Sequence, residues 1–90
     1  MSIKVTIPAP MRQFTAGKES VESTGATVNE VLQNLGKQHA GVSDRLFDGD
    51  KIRRFVNVYV NDEDIRYLDN LNTPVKDGDE VSIIPAVAGG

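Results

Sequence analysis

The strongest constraint on this chain is one amphipathic stretch between Thr27 and Gly41, set among segments of strand character. Val28, Val31, Leu32, Leu35 and His39 recur at i, i+3, i+4, i+7 and i+11, which puts them on one helical face. Thr27 is a good N-cap, Glu30 completes a capping box with it, and Gly41 is a natural stop. The pattern predicts a helix over 28–39. Such a helix cannot bury its apolar face alone, so the rest of the chain must supply a surface for it.

That surface is a sheet. Ile3, Val5 and Ile7 alternate with Lys4 and Thr6, the period of a strand with one buried face, and Pro8 and Pro10 end it. A loop through Phe14 and Gly17 leads to a short polar strand at Ser20–Ser23. After the helix, Ser43–Phe47 reads as one further helical turn capped by Ser43, and Asp48-Gly49-Asp50 as a loop. Phe55–Asn61 is the strongest strand, with Val56, Val58 and Val60 on one face. A polar turn at 61–64 enters a short returning strand at Ile65-Arg66-Tyr67, and residues 68–74 read as irregular. A turn at 76–79 precedes a last strand over Glu80–Pro85. The order is strand, strand, helix, strand, short strand, strand, and it predicts an α+β protein of the β-grasp (ubiquitin-like) class. A mixed sheet of about five strands packs on one main helix. Residues 1–90 are expected to form a single domain, with 86–90 a flexible C-terminal tail.

Ninety residues suffice for one compact core and leave little room for a buried catalytic pocket. The net charge of −3 argues against nucleic acid as a partner; the basic run Lys51-Ile52-Arg53-Arg54 sits beside acidic residues. With no cysteine, the chain has no thiolate nucleophile, disulfide or cysteine metal site. No signal-peptide core and no membrane-spanning run are visible, so a cytoplasmic location without membrane association is expected.

Side-chain catalysis has little support. His39 is the single histidine, and at the helix C-terminus it has a structural role available through the helix dipole. Asp62, Glu63 and Asp64 lack the spacing and turn glycine of a calcium loop and read as a solvated turn. No catalytic residue and no metal site of its own is therefore expected. What remains is the terminus. The last five residues, Ala86-Val87-Ala88-Gly89-Gly90, can extend on the order of 15 Å at about 3.3 Å per residue. Gly89 and Gly90 carry no Cβ and can enter a channel too narrow for other residues. The Gly90 carboxylate is the candidate reacting group, and Val87, Ala88, Gly89 and Gly90 are the segment that would enter a partner's active site. By strand parity Phe55, Tyr59 and Ile84 face away from the helix, which makes them a candidate docking patch.

Taken together, the β-grasp order, the Val-Asn-Val-Tyr-Val-Asn strand at 56–61, the Lys-Asp-Gly-Asp-Glu-Val turn at 76–81 and the terminal Gly89-Gly90 resemble the ThiS/MoaD group of sulfur carriers. The resemblance covers the whole chain. Residues 54–66, residues 85–90 and Asp44-Arg45-Leu46-Phe47-Asp48 are most similar to the branch serving a thiocarboxylate-dependent route to cysteine. The resemblance implies a carrier, not an enzyme. An E1-like adenylating and sulfurtransferase enzyme would activate Gly90 with ATP and convert it to a thiocarboxylate. A pyridoxal-phosphate cysteine synthase would join that group to an activated serine, and a zinc peptidase of the JAMM type would release the cysteine. ATP, pyridoxal phosphate and zinc all belong to those partners. Ala86 and Ala88 depart from the Pro-Pro-Val-Ser-like approach typical of molybdopterin synthase small subunits, and the segment before Phe55 exceeds what thiazole-pathway carriers usually have. Those two subtypes stay open as alternatives. So do a ubiquitin-like modifier conjugated through Gly90 and a plain interaction domain with an incidental diglycine.

Overall fold

The computed structural model describes residues 2–54 and 56–85. In chain order it forms β1 (Ile3–Thr6), β2 (Ser20–Ser23), α1 (Val28–Gln38), α2 (Val42–Leu46), β3 (Phe47–Asp48), β4 (Lys51–Ile52), β5 (Val56–Val60), β6 (Glu63–Asp64) and β7 (Glu80–Pro85). Five strands make one mixed sheet in the order β2-β1-β7-β5-β6. Its centre is the parallel pair β1·β7, with Lys4 opposite Glu80, Val5 opposite Val81 and Thr6 opposite Ser82. The other pairings in the sheet are antiparallel. This is the expected β-grasp arrangement.

Strand parity sorts the side chains. Ile3, Val5, Val58, Val81 and Ile83 are almost fully buried against the helix. From α1, Val28, Val31, Leu32 and Leu35 meet them, each with no exposed surface. Ser23 also faces inward, and its hydroxyl donates to the Val31 carbonyl at 2.9 Å, so this buried polar group is satisfied.

The cap of α1 forms with a shift. Thr27 Oγ1 accepts from the Glu30 N–H at 3.3 Å, but Glu30 reaches back to the Ala26 N–H at 3.0 Å, not to that of Thr27. The helix start is also tied to the late segment 73–75: the Val28 N–H donates to Thr73 O and the Val75 N–H to Ala26 O, both at 3.0 Å. The helix ends at Gln38, one residue earlier than expected. His39 has left the helical conformation, with φ −129° and ψ 97°, while its N–H still bonds to Leu35 O.

Gly41 does not stop α1; it begins α2. Its φ of 95° favours glycine, and a Cβ there would meet the Phe14 ring at 2.6 Å. Ser43 is therefore not the cap that the sequence suggested: it lies inside α2, and Gly41 caps with backbone alone. The Ser43 hydroxyl is instead packed on α1, where a Cβ at Gly36 would come within 2.5 Å of it. A glycine in the middle of a helix costs about 1 kcal/mol in propensity, and here it permits the close approach of α2.

Four further differences have local causes. The expected loop after β1 contains a 3-10 helix over Ala9–Thr15, with Pro10 in the first turn, where no N–H is needed. Phe47 opens β3 rather than closing a helical turn, and Asp48 and Lys51 pair across the two-residue turn Gly49-Asp50. Asn61 and Asp62 have φ of 49° and 72°, so they alone make the next turn, and Glu63-Asp64 is the returning strand. Ile65–Tyr67, expected as a strand, is a 3-10 turn because Asp64 accepts the Arg66 N–H at 2.9 Å and breaks the ladder. Within 68–74, expected as irregular, Asn70–Asn72 forms a further 3-10 turn.

Two carboxylates hold turns. Arg66 hydrogen-bonds Asp64 through its guanidinium, at 2.7 Å for the shortest contact, and through its N–H, which holds the Asp64 pKa below the ordinary carboxylate value. Asp79 is lowered by the Lys76 N–H and then by the Asn61 side chain.

Both acids bind protons less readily in the folded state, so their stabilisation is whole above the unfolded value near 4 and is lost as pH falls below it. The urea midpoint followed from about pH 6 to about pH 2.5 is expected to fall, and less steeply in Asp64→Asn/Asp79→Asn. An equal slope in that variant would remove these two groups from the acid response. Leu32→Ala, which opens a cavity in the fully buried helix face, is expected to cost about 2–5 kcal/mol by urea unfolding.

Candidate functional site

The last strand sets the geometry. β1 accompanies β7 only as far as Ser82, whereas β5 follows it to its end, with Val58 opposite Ile83, Asn57 opposite Ile84 and Val56 opposite Pro85. Pro85 is thus the last described residue and sits beside the start of β5. The candidate reacting group Gly90 and its approach, Val87, Ala88 and Gly89, lie outside the described residues, as does Phe55.

Of the expected docking patch, Tyr59 and Ile84 can be placed. Both point to the face opposite Val58 and Val60. Tyr59 pairs with Ser82, so Ile84 is its diagonal neighbour on the adjacent strand, within reach of a ring. Ile84 is 45% exposed and Tyr59 is half-buried. The surrounding face is polar: Thr6 donates to Glu80 at 2.8 Å, and Lys4 and Glu22 are exposed.

The other candidates do not assemble into chemistry. His39 is half-buried and lines a shallow open depression beside Lys4, Lys18 and Glu22. Asp62 and Glu63 are exposed, while Asp64 is engaged by Arg66. Among the described residues no three His, Cys, Asp or Glu side chains converge as a metal site. No described helix is long and apolar enough to cross a membrane.

One feature escaped sequence reasoning. An open groove of about 410 Å³ lies beside Val56, at the start of β5. Lys51, Arg53, Arg54 and Arg66 line it together with the apolar Val56, Ile65 and Leu71. The basic run at 51–54 was visible, but its neighbour Arg66 arrives only because the β5–β6 hairpin folds back. Tyr67 was likewise missed as a surface residue; it is 84% exposed on the 3-10 turn.

Comparison with known proteins agrees with this architecture. The sulfur carrier protein CysO of Mycobacterium tuberculosis (strain ATCC 25618 / H37Rv) is 46% identical over 93 residues, covering 100% of both chains. Small archaeal modifier protein 3 of Haloferax volcanii is 40% identical over 65 residues, covering 72% of this chain and 71% of its own. A chain in the crystal structure of the Amycolatopsis orientalis BexX/CysO complex superposes with a TM-score of 0.92 at 50% identity, covering 98% of this chain and 99% of that one. The profile of the ThiS family matches residues 5–90. With its β-grasp sheet and whole-length relatives, the chain belongs to the ThiS family.

Proposed function

We propose that this protein is a sulfur carrier, not an enzyme, and that the Gly90 carboxylate is its working group in cysteine biosynthesis. The observation that carries the reading is the full-length similarity to a CysO, together with a last strand that runs to within five residues of Gly90. An E1-like partner transfers AMP from ATP to the carboxylate and releases pyrophosphate. A sulfide-level nucleophile then displaces AMP and leaves a thiocarboxylate on Gly90. The carrier supplies the reacting group and its reach, and the partner supplies positioning and charge stabilisation. Val87, Ala88 and Gly89 thread the partner's channel, where glycine passes the narrowest point. A pyridoxal-phosphate cysteine synthase consumes the thiocarboxylate, and a zinc peptidase of the JAMM type frees the cysteine. The reading has these steps run in the cytoplasm, with each cofactor held by its own enzyme. That a relative was crystallised in complex with BexX supports a protein partner for this chain.

The similarity to a small archaeal modifier protein favours a second reading, in which activated Gly90 is joined to lysines of other proteins. The two share activation and differ in product, so the adduct on Gly90 separates them: a thiocarboxylate for the carrier, an isopeptide for the modifier.

Intact mass after incubation with an adenylating enzyme, ATP and sulfide should show one oxygen replaced by sulfur. Adding one alanine after Gly90, or deleting Gly90, should abolish the change while the circular dichroism spectrum stays the same. Sulfur uptake by the extended chain would sink the carrier reading. Replacing Tyr59 and Ile84 with serine should raise the KM of loading without unfolding the domain, because both side chains lie on the outer face. Unchanged kinetics would remove this patch from the partner surface.

A further inference from the structure

The groove beside Val56 is unlike the rest of the surface. Of the chain's 10 basic and 13 acidic residues, four basic and one acidic line it, which leaves 6 basic against 12 acidic elsewhere. The single acid, Asp64, is bonded to Arg66, the one ion pair among the described residues. Two of the cations are held in place: Arg66 by Asp64, and Arg53 by donating from Nε to the Asp44 carbonyl at 2.8 Å. Lys51 and Arg54 are exposed on the same rim. Beneath them, Val56, Ile65 and Leu71 offer an apolar floor. Positioned guanidinium groups favour carboxylates, which they bind with paired hydrogen bonds, and the floor favours an apolar side chain.

The position of the groove says what meets it. Val56 lines it and also pairs with Pro85, five residues before the chain's end. A protein that holds Gly90 must therefore lie within about 15 Å of this point, at about 3.3 Å per residue. We infer that the groove is a docking cleft for an acidic segment bearing one apolar side chain, carried by the enzyme that receives the C-terminus. The inference rests on the carrier reading and adds a second contact to it, at the start of β5, where Asn57 and Asp64 also line the groove. Nucleic acid suits the site less well, since the other charges on the chain are two-to-one acidic and the floor is apolar.

The test is a titration of the ¹⁵N-labelled full chain with the acetylated, amidated peptide Asp-Glu-Leu-Asp-Glu at low ionic strength. Amide shifts should concentrate at residues 51–58 and 65–72 and weaken as salt is added. They should be about tenfold weaker in Lys51→Glu/Arg54→Glu, whose exposed positions leave the rest of the spectrum unchanged. Shifts that map elsewhere, that match those from inorganic phosphate or a short oligonucleotide, or that persist in the variant would overturn the cleft. The loading assay supplies the second arm. The variant should raise the carrier's KM by about tenfold at unchanged kcat. If wild type and variant load with the same KM, the cleft is wrong and the carrier stands. A wild type that takes no sulfur overturns the carrier reading, and with it the assignment of the cleft's occupant to that enzyme.

Discussion

The parallel pairing of β1 with β7 is the contact on which the rest of this structure depends. It joins the first strand to the last, and the contacts that support it span almost the whole sequence: Gly78 donates to the Ser2 carbonyl at 3.2 Å, and Ser2 donates to Asp77 at 2.8 Å. Closing so long a loop is entropically costly, though the cost grows only slowly with length. The offset comes from Val5 and Val81, both fully buried, which meet α1 only when the two strands lie side by side. With β1 and β7 paired at the centre, β5 and β6 add beyond β7 and β2 beyond β1, and Pro85 lies beside Val56.

This arrangement separates stability from chemistry. The core, the caps of α1 and the Asp64 and Asp79 turns all lie within the described residues and hold the sheet and helix together. The proposed reacting group is a main-chain carboxylate beyond them, so it needs no buried polar pocket and no side chain with a shifted pKa. A domain of this size can bury little beyond its core, and moving the chemistry to the terminus avoids the desolvation that a catalytic cavity would cost. In the proposed reading a partner would meet the outer face carrying Tyr59 and Ile84 and the basic groove at the start of β5.

Most of the secondary structure was legible because it follows from local chemistry. Proline ends β1, Thr27 caps α1, and period-two alternation marks β5 and β7 with their inward faces. The misreadings share a cause. Ser43 is a fair N-cap by composition, but Gly41 already had the positive φ that starts α2, and close packing on Gly36 claimed the serine. Ile65-Arg66-Tyr67 has strand propensity, yet one side-chain hydrogen bond from Asp64 ended the ladder before it. His39 continues the helical period but falls where the backbone has already turned away. For Ser43 and for Ile65–Tyr67 a contact the periodicity does not record outweighed a preference of a few tenths of a kcal/mol.

The sequence by itself determined the elements, their buried faces, the absence of cysteine chemistry and the diglycine end, because each is a property of residue type and spacing. Only the tertiary structure decided that β7 lies between β1 and β5, so that its last residue meets Val56. It also decided that Arg66 joins Lys51, Arg53 and Arg54 around one groove in an otherwise acidic molecule. Local pattern sets the dihedral angles and the face each side chain takes. Which faces meet depends on strand register and hairpin reversal, where contacts between distant residues are paid for together or not made.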